Sequence, residues 1–139
     1  MSSVDINYLA VLVAGAVSMA LGAFWYSPAA FGKMWMQLSG LTEASMDEAK
    51  KKGMSKLYGI AFIGSLVMSY VLAHFVDYAE ATTVSDGLQI GFWTWLGFSA
   101  TLRLGSVLWE GKPVKLYILN TAYDLINLLV MGAILAVWI

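Results

Sequence analysis

The chain has 139 residues, 60% of them hydrophobic and only 12% charged, with a mean hydropathy of +0.72. Soluble domains carry about 25% charged residues, and a core this short could not hide so much apolar surface, so lipid must cover part of it. A formal net charge of −1 offers no field for nucleic acid, and the absence of cysteine excludes disulfides, thiolate chemistry and Cys-based metal sites.

The first apolar run, from about Ile6 to Tyr26, reads as a membrane span. Met1 to Ala10 holds no Lys or Arg and no small-residue cleavage site follows, so a retained helix is expected rather than a signal peptide. Ala10, Ala14, Ser18 and Gly22 recur every four positions, a ladder that lets a second helix backbone approach closely in lipid. Trp25 and Tyr26 suit the membrane interface. Ser27 and Pro28 read as the N-cap and first position of a new short helix. In it Phe31, Met34, Trp35 and Leu38 share one face while Lys33 and Gln37 lie on others, the pattern of an interfacial amphipathic helix lying in the membrane surface.

Leu41 to Gly53 is the polar stretch. Ser45 with Glu48 gives a capping-box signal for a small solvated helix, closed by Lys50, Lys51, Lys52 and Gly53. A second span runs from about Lys56 to Val76, with another ladder at Ala61, Ser65, Ser69 and Ala73. His74 near its end has no second ligand at a suitable spacing, so no metal is expected. Thr83 or Ser85 can cap a third span, about Asp86 to Trp109, along which Ser99, Arg103, Ser106 and Glu110 share a face. Glu110 to Pro113 is a tight turn. The fourth span, Lys115 to Trp138, carries Asn120, Asp124 and Asn127 on one face, extended by Tyr117.

The expected fold class is therefore all-α: a polytopic membrane protein of one domain over residues 1–139, with four transmembrane helices as two hairpins plus the interfacial helix. Lys56-Leu57-Tyr58 and Lys115-Leu116-Tyr117, and later LVMSYVLAHF against LVMGAILAVW, suggest that the hairpins are an internal repeat. Lys33, Lys50, Lys51, Lys52 and Lys56 lie between spans one and two, and Lys112 and Lys115 between spans three and four. The other connection and the N-terminal tail have none. Positive residues stay inside, which predicts cytoplasmic Lys-bearing loops, including loop 28–55, and both termini outside.

Arg103 falls about 8 Å, and Asp124 about 4 Å, on the cytoplasmic side of the centres of their helices, at 1.5 Å per residue. The tight turn makes the two helices antiparallel neighbours, so Arg103 is expected to reach both Asp124 and Asn120. An unpaired charge there costs about 2.5–3.5 kcal/mol on insertion scales, and an ion pair with amide partners relieves that cost. The intramembrane polar cluster Arg103, Asn120, Asp124 and Asn127 is thus either a lock between helices or a pocket for a solute or proton.

The segments from Asn7 to Thr42, Gly91 to Thr101 and Trp109 to Trp138, with their Trp-Tyr-Ser-Pro, Phe-Gly-Lys and Glu-Gly-Lys-Pro motifs, resemble the bacterial domain-of-unknown-function family 1761. The resemblance implies a small protein of the bacterial inner membrane with no assigned activity and no catalytic residue to carry over. Arg103 and Asp124 depart from the family's usual uncharged residues, which favours a structural role for the pair. No Ser-His-Asp, metal-ligand or phosphate-loop spacing occurs. The expectation is a non-enzymatic, cofactor-free protein whose partners are the lipid bilayer and a homo-oligomer or larger membrane complex, not nucleic acid. The alternative is a small-solute or proton-coupled transporter using the Arg/Asp/Asn pocket.

Overall fold

Asn7 starts the first helix. Its Oδ1 accepts from the N–H groups of Leu9 and Ala10 at 3.1 and 3.2 Å, satisfying two donors that no intrahelical carbonyl can reach. Helix α1 then runs Tyr8–Trp25 in the computed structural model, which describes residues 3–138. Next come α2 (Gly32–Ser39), α3 (Glu43–Lys51) and α4 (Ser55–Tyr78). The third apolar segment comprises α5 (Val84–Thr94), a π-helical turn (Trp95–Ala100), α6 (Thr101–Arg103) and α7 (Gly105–Leu108). Helix α8 (Val114–Val137) follows. The described residues are helical or irregular, with no strand.

Three helices, α1, α4 and α8, are long and apolar enough to cross a membrane. The third segment differs from the unbroken helix expected over residues 86–109, and its hydroxyls explain why. Thr94 Oγ1 bonds back to the carbonyls of Ile90 and Gly91 at 2.8 and 3.1 Å, and Thr101 Oγ1 to that of Gly97 at 2.6 Å. Such back-bonding bends a helix. Here the two threonines flank the π turn, and Gly97 and Gly105 add low helix propensity. A hydropathy window sees none of this.

The helices pair as α1 with α4 and α5 with α8. Ser69 Oγ donates to the Val11 carbonyl at 2.9 Å, and a Cβ on Gly15 would sit 2.8 Å from Leu66 Cδ2. Gly87 and Gly91 lie against the α8 backbone at Leu128 to Ala133, where a Cβ on either would collide. That close approach is what small residues permit between helices in lipid. The core gathers at one end of the bundle, from Ala10, Val11 and Ala14 on α1, Leu72, Ala73 and Val76 on α4, Ala81, and Met131, Leu135 and Ala136 on α8.

Two caps differ from expectation. Helix α3 is capped by Thr42, whose side chain and that of Ser45 exchange bonds with each other's backbone N–H, rather than by Ser45 with Glu48. Ser27 caps nothing. Its hydroxyl turns back to the Phe24 carbonyl at 2.6 Å, Pro28 sits in a run of turns, and α2 begins only at Gly32 without a side-chain cap. Thr83, one of the two residues offered for the third segment, does cap α5, with Asp86 closing the box.

Candidate functional site

The polar residues gather at the end of the bundle away from the core. The antiparallel register of the third segment on α8 brings them there: Gly87 meets Gly132, Gly91 meets Leu128, and Trp95 Nε1 donates to the Thr121 carbonyl at 2.8 Å. One turn further on, Tyr117 Oη donates to the Ala100 carbonyl at 2.7 Å. These contacts run along nearly the whole of α8, so the interrupted segment lies beside a helix of membrane-spanning length from end to end.

Asp124 is the centre of the site. Both Nε and Nη2 of Arg103 donate to its carboxylate, the latter at 3.1 Å, and Ser99 Oγ donates to Oδ2 at 2.7 Å. A bidentate guanidinium–carboxylate pair is the strongest protein hydrogen-bond arrangement. Here three donors from the broken third segment converge on one side chain of α8. The carboxylate is well covered, its side chain 15% exposed, whereas the arginine side chain is 44% exposed.

Asn120 is not held by Arg103. Its Oδ1 accepts from Tyr26 Oη at 2.7 Å, tying the end of α1 to α8. Tyr123 Oη donates to the Ser18 carbonyl at 3.2 Å, and the Tyr26 and Tyr123 rings meet edge to face at 5.4 Å. Asn127 stands apart from the cluster. It is buried, its Nδ2 points at Met68 Sδ at 3.7 Å, and its Oδ1 has no partner. Position explains the split: the stripe runs along α8, but Arg103 extends from one level only, and Tyr26, just past the end of α1, occupies the level of Asn120.

Sequence reasoning left out Tyr26, Tyr123 and Ser99 as site residues. Ser99 lies four residues before Arg103 on the same face, a signal the spacing carries, whereas Tyr26 by position suits only an interfacial aromatic. Beyond Arg103, the expected polar face disperses. Ser106 Oγ bonds to the Arg103 carbonyl at 2.8 Å, and Glu110 faces Lys112 at 3.9 Å. Just before α2, the Phe31 ring lies 4.6 Å from that of Trp25, and within α2 the Trp35 ring lies 5.4 Å from that of Tyr26. Met34 is exposed and Leu38 half-buried. His74 is remote, its Nδ1 2.8 Å from the Tyr70 carbonyl oxygen.

The chemistry open to this arrangement is charge cancellation and fastening. The Asp124 carboxylate accepts three hydrogen bonds, two from Arg103 and one from the Ser99 hydroxyl, and the guanidinium counters its charge. Among the described residues, no three His, Asp or Glu side chains are grouped to hold a metal ion.

The family model described as "Protein of unknown function (DUF1761)" matches residues 9–136, and the chain belongs to that family. No curated protein and no solved structure matches it.

Proposed function

We propose that this member of the DUF1761 family is a non-catalytic integral membrane subunit that assembles with a second copy of itself along the outer edge of the third segment. The observation that carries this is the half-exposed Arg103 side chain on a helix interrupted beside α8. Irregular backbone and charge at membrane depth are tolerated only against protein or water. Leu102, next to the arginine in the chain, is 77% exposed and Trp109, at the end of the segment, 87%, apolar surface suited to a protein neighbour. In this account the third segment crosses the bilayer with α1, α4 and α8, and α2 lies in the interface with Met34 toward lipid. The lysine-bearing loops face the cytoplasm of a bacterial inner membrane and both termini face outside. The Arg103–Asp124 pair locks the third segment to α8.

The mass of the intact complex released from lipid nanodiscs tests the assembly. A dimer is expected. A monomer refutes it, and a hetero-complex replaces it with an accessory role. One observation favours a second possibility, transport of a small solute or proton: Arg103, Ser99 and Asp124 form a charged network with one open side. Solute or proton flux in vesicles that is lost in the Arg103→Leu, Asp124→Leu double variant, with the dimer intact, would select it.

A further inference from the structure

The two small-residue ladders do not meet along their whole length. Ser69 and Ala73 of α4 are buried near Val11 and Ala14 of α1, yet Ser65 is only half-buried and Ala61 is exposed. Between Gly22 and Ala23 on α1 and Tyr58 and Ala61 on α4 the helices enclose a cleft of about 840 Å³. That volume is within the roughly 300–1,000 Å³ of small-molecule sites. Its deep walls are Ser18, Met19, Gly22, Ala61 and Ser65, with Tyr123 behind. Small residues that face one another across space, rather than packing, leave room for a chain.

The mouth of the cleft is different in kind. Lys33 of α2 and Glu43, Asp47 and Lys50 of α3 line it. On α3 the spacing of Glu43, Met46, Asp47 and Lys50 puts all four on one face, and all four line the cleft. Helix α3 has no extensive packing against any other helix. It hangs between Gly40 and Gly53, whose φ angles of +73° and +94° place both in the left-handed region that favours glycine. The aromatic rings of Tyr26 and Trp35 complete the rim.

We infer that this cleft holds an acyl chain and the head of a phospholipid that is zwitterionic and carries a primary ammonium, with α3 as its cover. The apolar depth lies between two helices long enough to cross a membrane, at the level of the acyl chains. The charged mouth lies on their lysine-bearing side. Two lysine ammonium groups suit the lipid phosphate, and the two carboxylates can accept N–H bonds that a primary ammonium donates and a quaternary one cannot. An anionic lipid would meet Glu43 and Asp47 as like charges, whereas lysine clusters without acids select anionic heads.

The test is lipid titration of the delipidated full chain in detergent, followed by native mass spectrometry. The probes are phosphatidylethanolamine, phosphatidylglycerol, phosphatidylcholine and chain-free phosphoethanolamine. One phosphatidylethanolamine should bind at least about tenfold more tightly than either other lipid, an increment of about 1.4 kcal/mol, and phosphoethanolamine should not bind. Ala61→Trp, which fills the cleft, should weaken that binding about tenfold or more. Glu43→Gln with Asp47→Gln, confined to exposed positions on α3, should turn the preference toward phosphatidylglycerol even if Ala61→Trp disturbs the bundle. Equal binding of the lipids, a wild-type preference for phosphatidylglycerol, binding of chain-free phosphoethanolamine, or unchanged selectivity in the double glutamine variant would overturn the assignment.

Discussion

Arg103 and Asp124 present an asymmetric pair, and the asymmetry sets the size of its response to mutation. Arg103→Leu leaves a carboxylate with a 15% exposed side chain and only Ser99 Oγ as donor. A charge near the centre of a membrane helix costs about 2.5–3.5 kcal/mol, so the loss should be about 3 kcal/mol. Asp124→Leu frees a guanidinium that is already 44% exposed and whose long stem can carry it toward water. Its loss should fall at about 1.5–3 kcal/mol, the range for hydrogen bonds to charged groups. The double leucine variant strands no charge and lets the Ser99 hydroxyl turn to its own helix. It should lie within about 2 kcal/mol of wild type, since buried pairs replaced by apolar residues are often neutral. Reversible unfolding in mixed detergent micelles measures all four proteins. A coupling of about 2 kcal/mol or more is expected, and single losses that add within about 0.5 kcal/mol would refute the idea that the two side chains act as a unit.

Gly91→Val should destabilise by about 1–3 kcal/mol, the cost of overpacking, because its side chain must displace the α8 backbone at Leu128; the same micelle titration reads it. Gly53→Ala, at a left-handed position with open space around it, should cost only about 1 kcal/mol, also read by unfolding, with the bundle unchanged by circular dichroism. Tyr26→Phe removes the donor to Asn120 and should lower stability by about 0.5–1.5 kcal/mol in the same assay; no measurable change would show that the bond is replaced by water. A cytoplasm-only fluorescent reporter fused to the C-terminus should stay dark in cells, and a bright fusion would invert the topology.

Composition and periodicity made α1, α4 and α8 legible to within about two residues, because hydropathy and length alone define such helices. The partnership of Arg103 with Asp124 was legible too, since a tight turn makes the two helices antiparallel neighbours and both charges fall on the same side of their centres. The break at Trp95–Ala100 was not, because it depends on which carbonyl the Thr94 and Thr101 hydroxyls choose. Asn120 went to Tyr26 for a related reason: its partner is set by how α1 leans on α8, which no residue spacing within one helix encodes. The spacing of the α4 ladder predicts a packing face throughout, yet its Ala61 end borders the cleft. A four-residue repeat of small side chains says where a helix can approach, and the tilt of its neighbour decides whether it does.

The central claim, that the edge bearing Arg103 is covered by a second copy, is tested most directly by cross-linking in native membranes. The chain has no cysteine, so a single Leu102→Cys gives an unambiguous thiol. With a short bifunctional thiol reagent it should yield a covalent dimer, while Ile60→Cys on the outer face of α4 should stay monomeric. A monomer from Leu102→Cys, or a dimer from Ile60→Cys alone, would contradict the account.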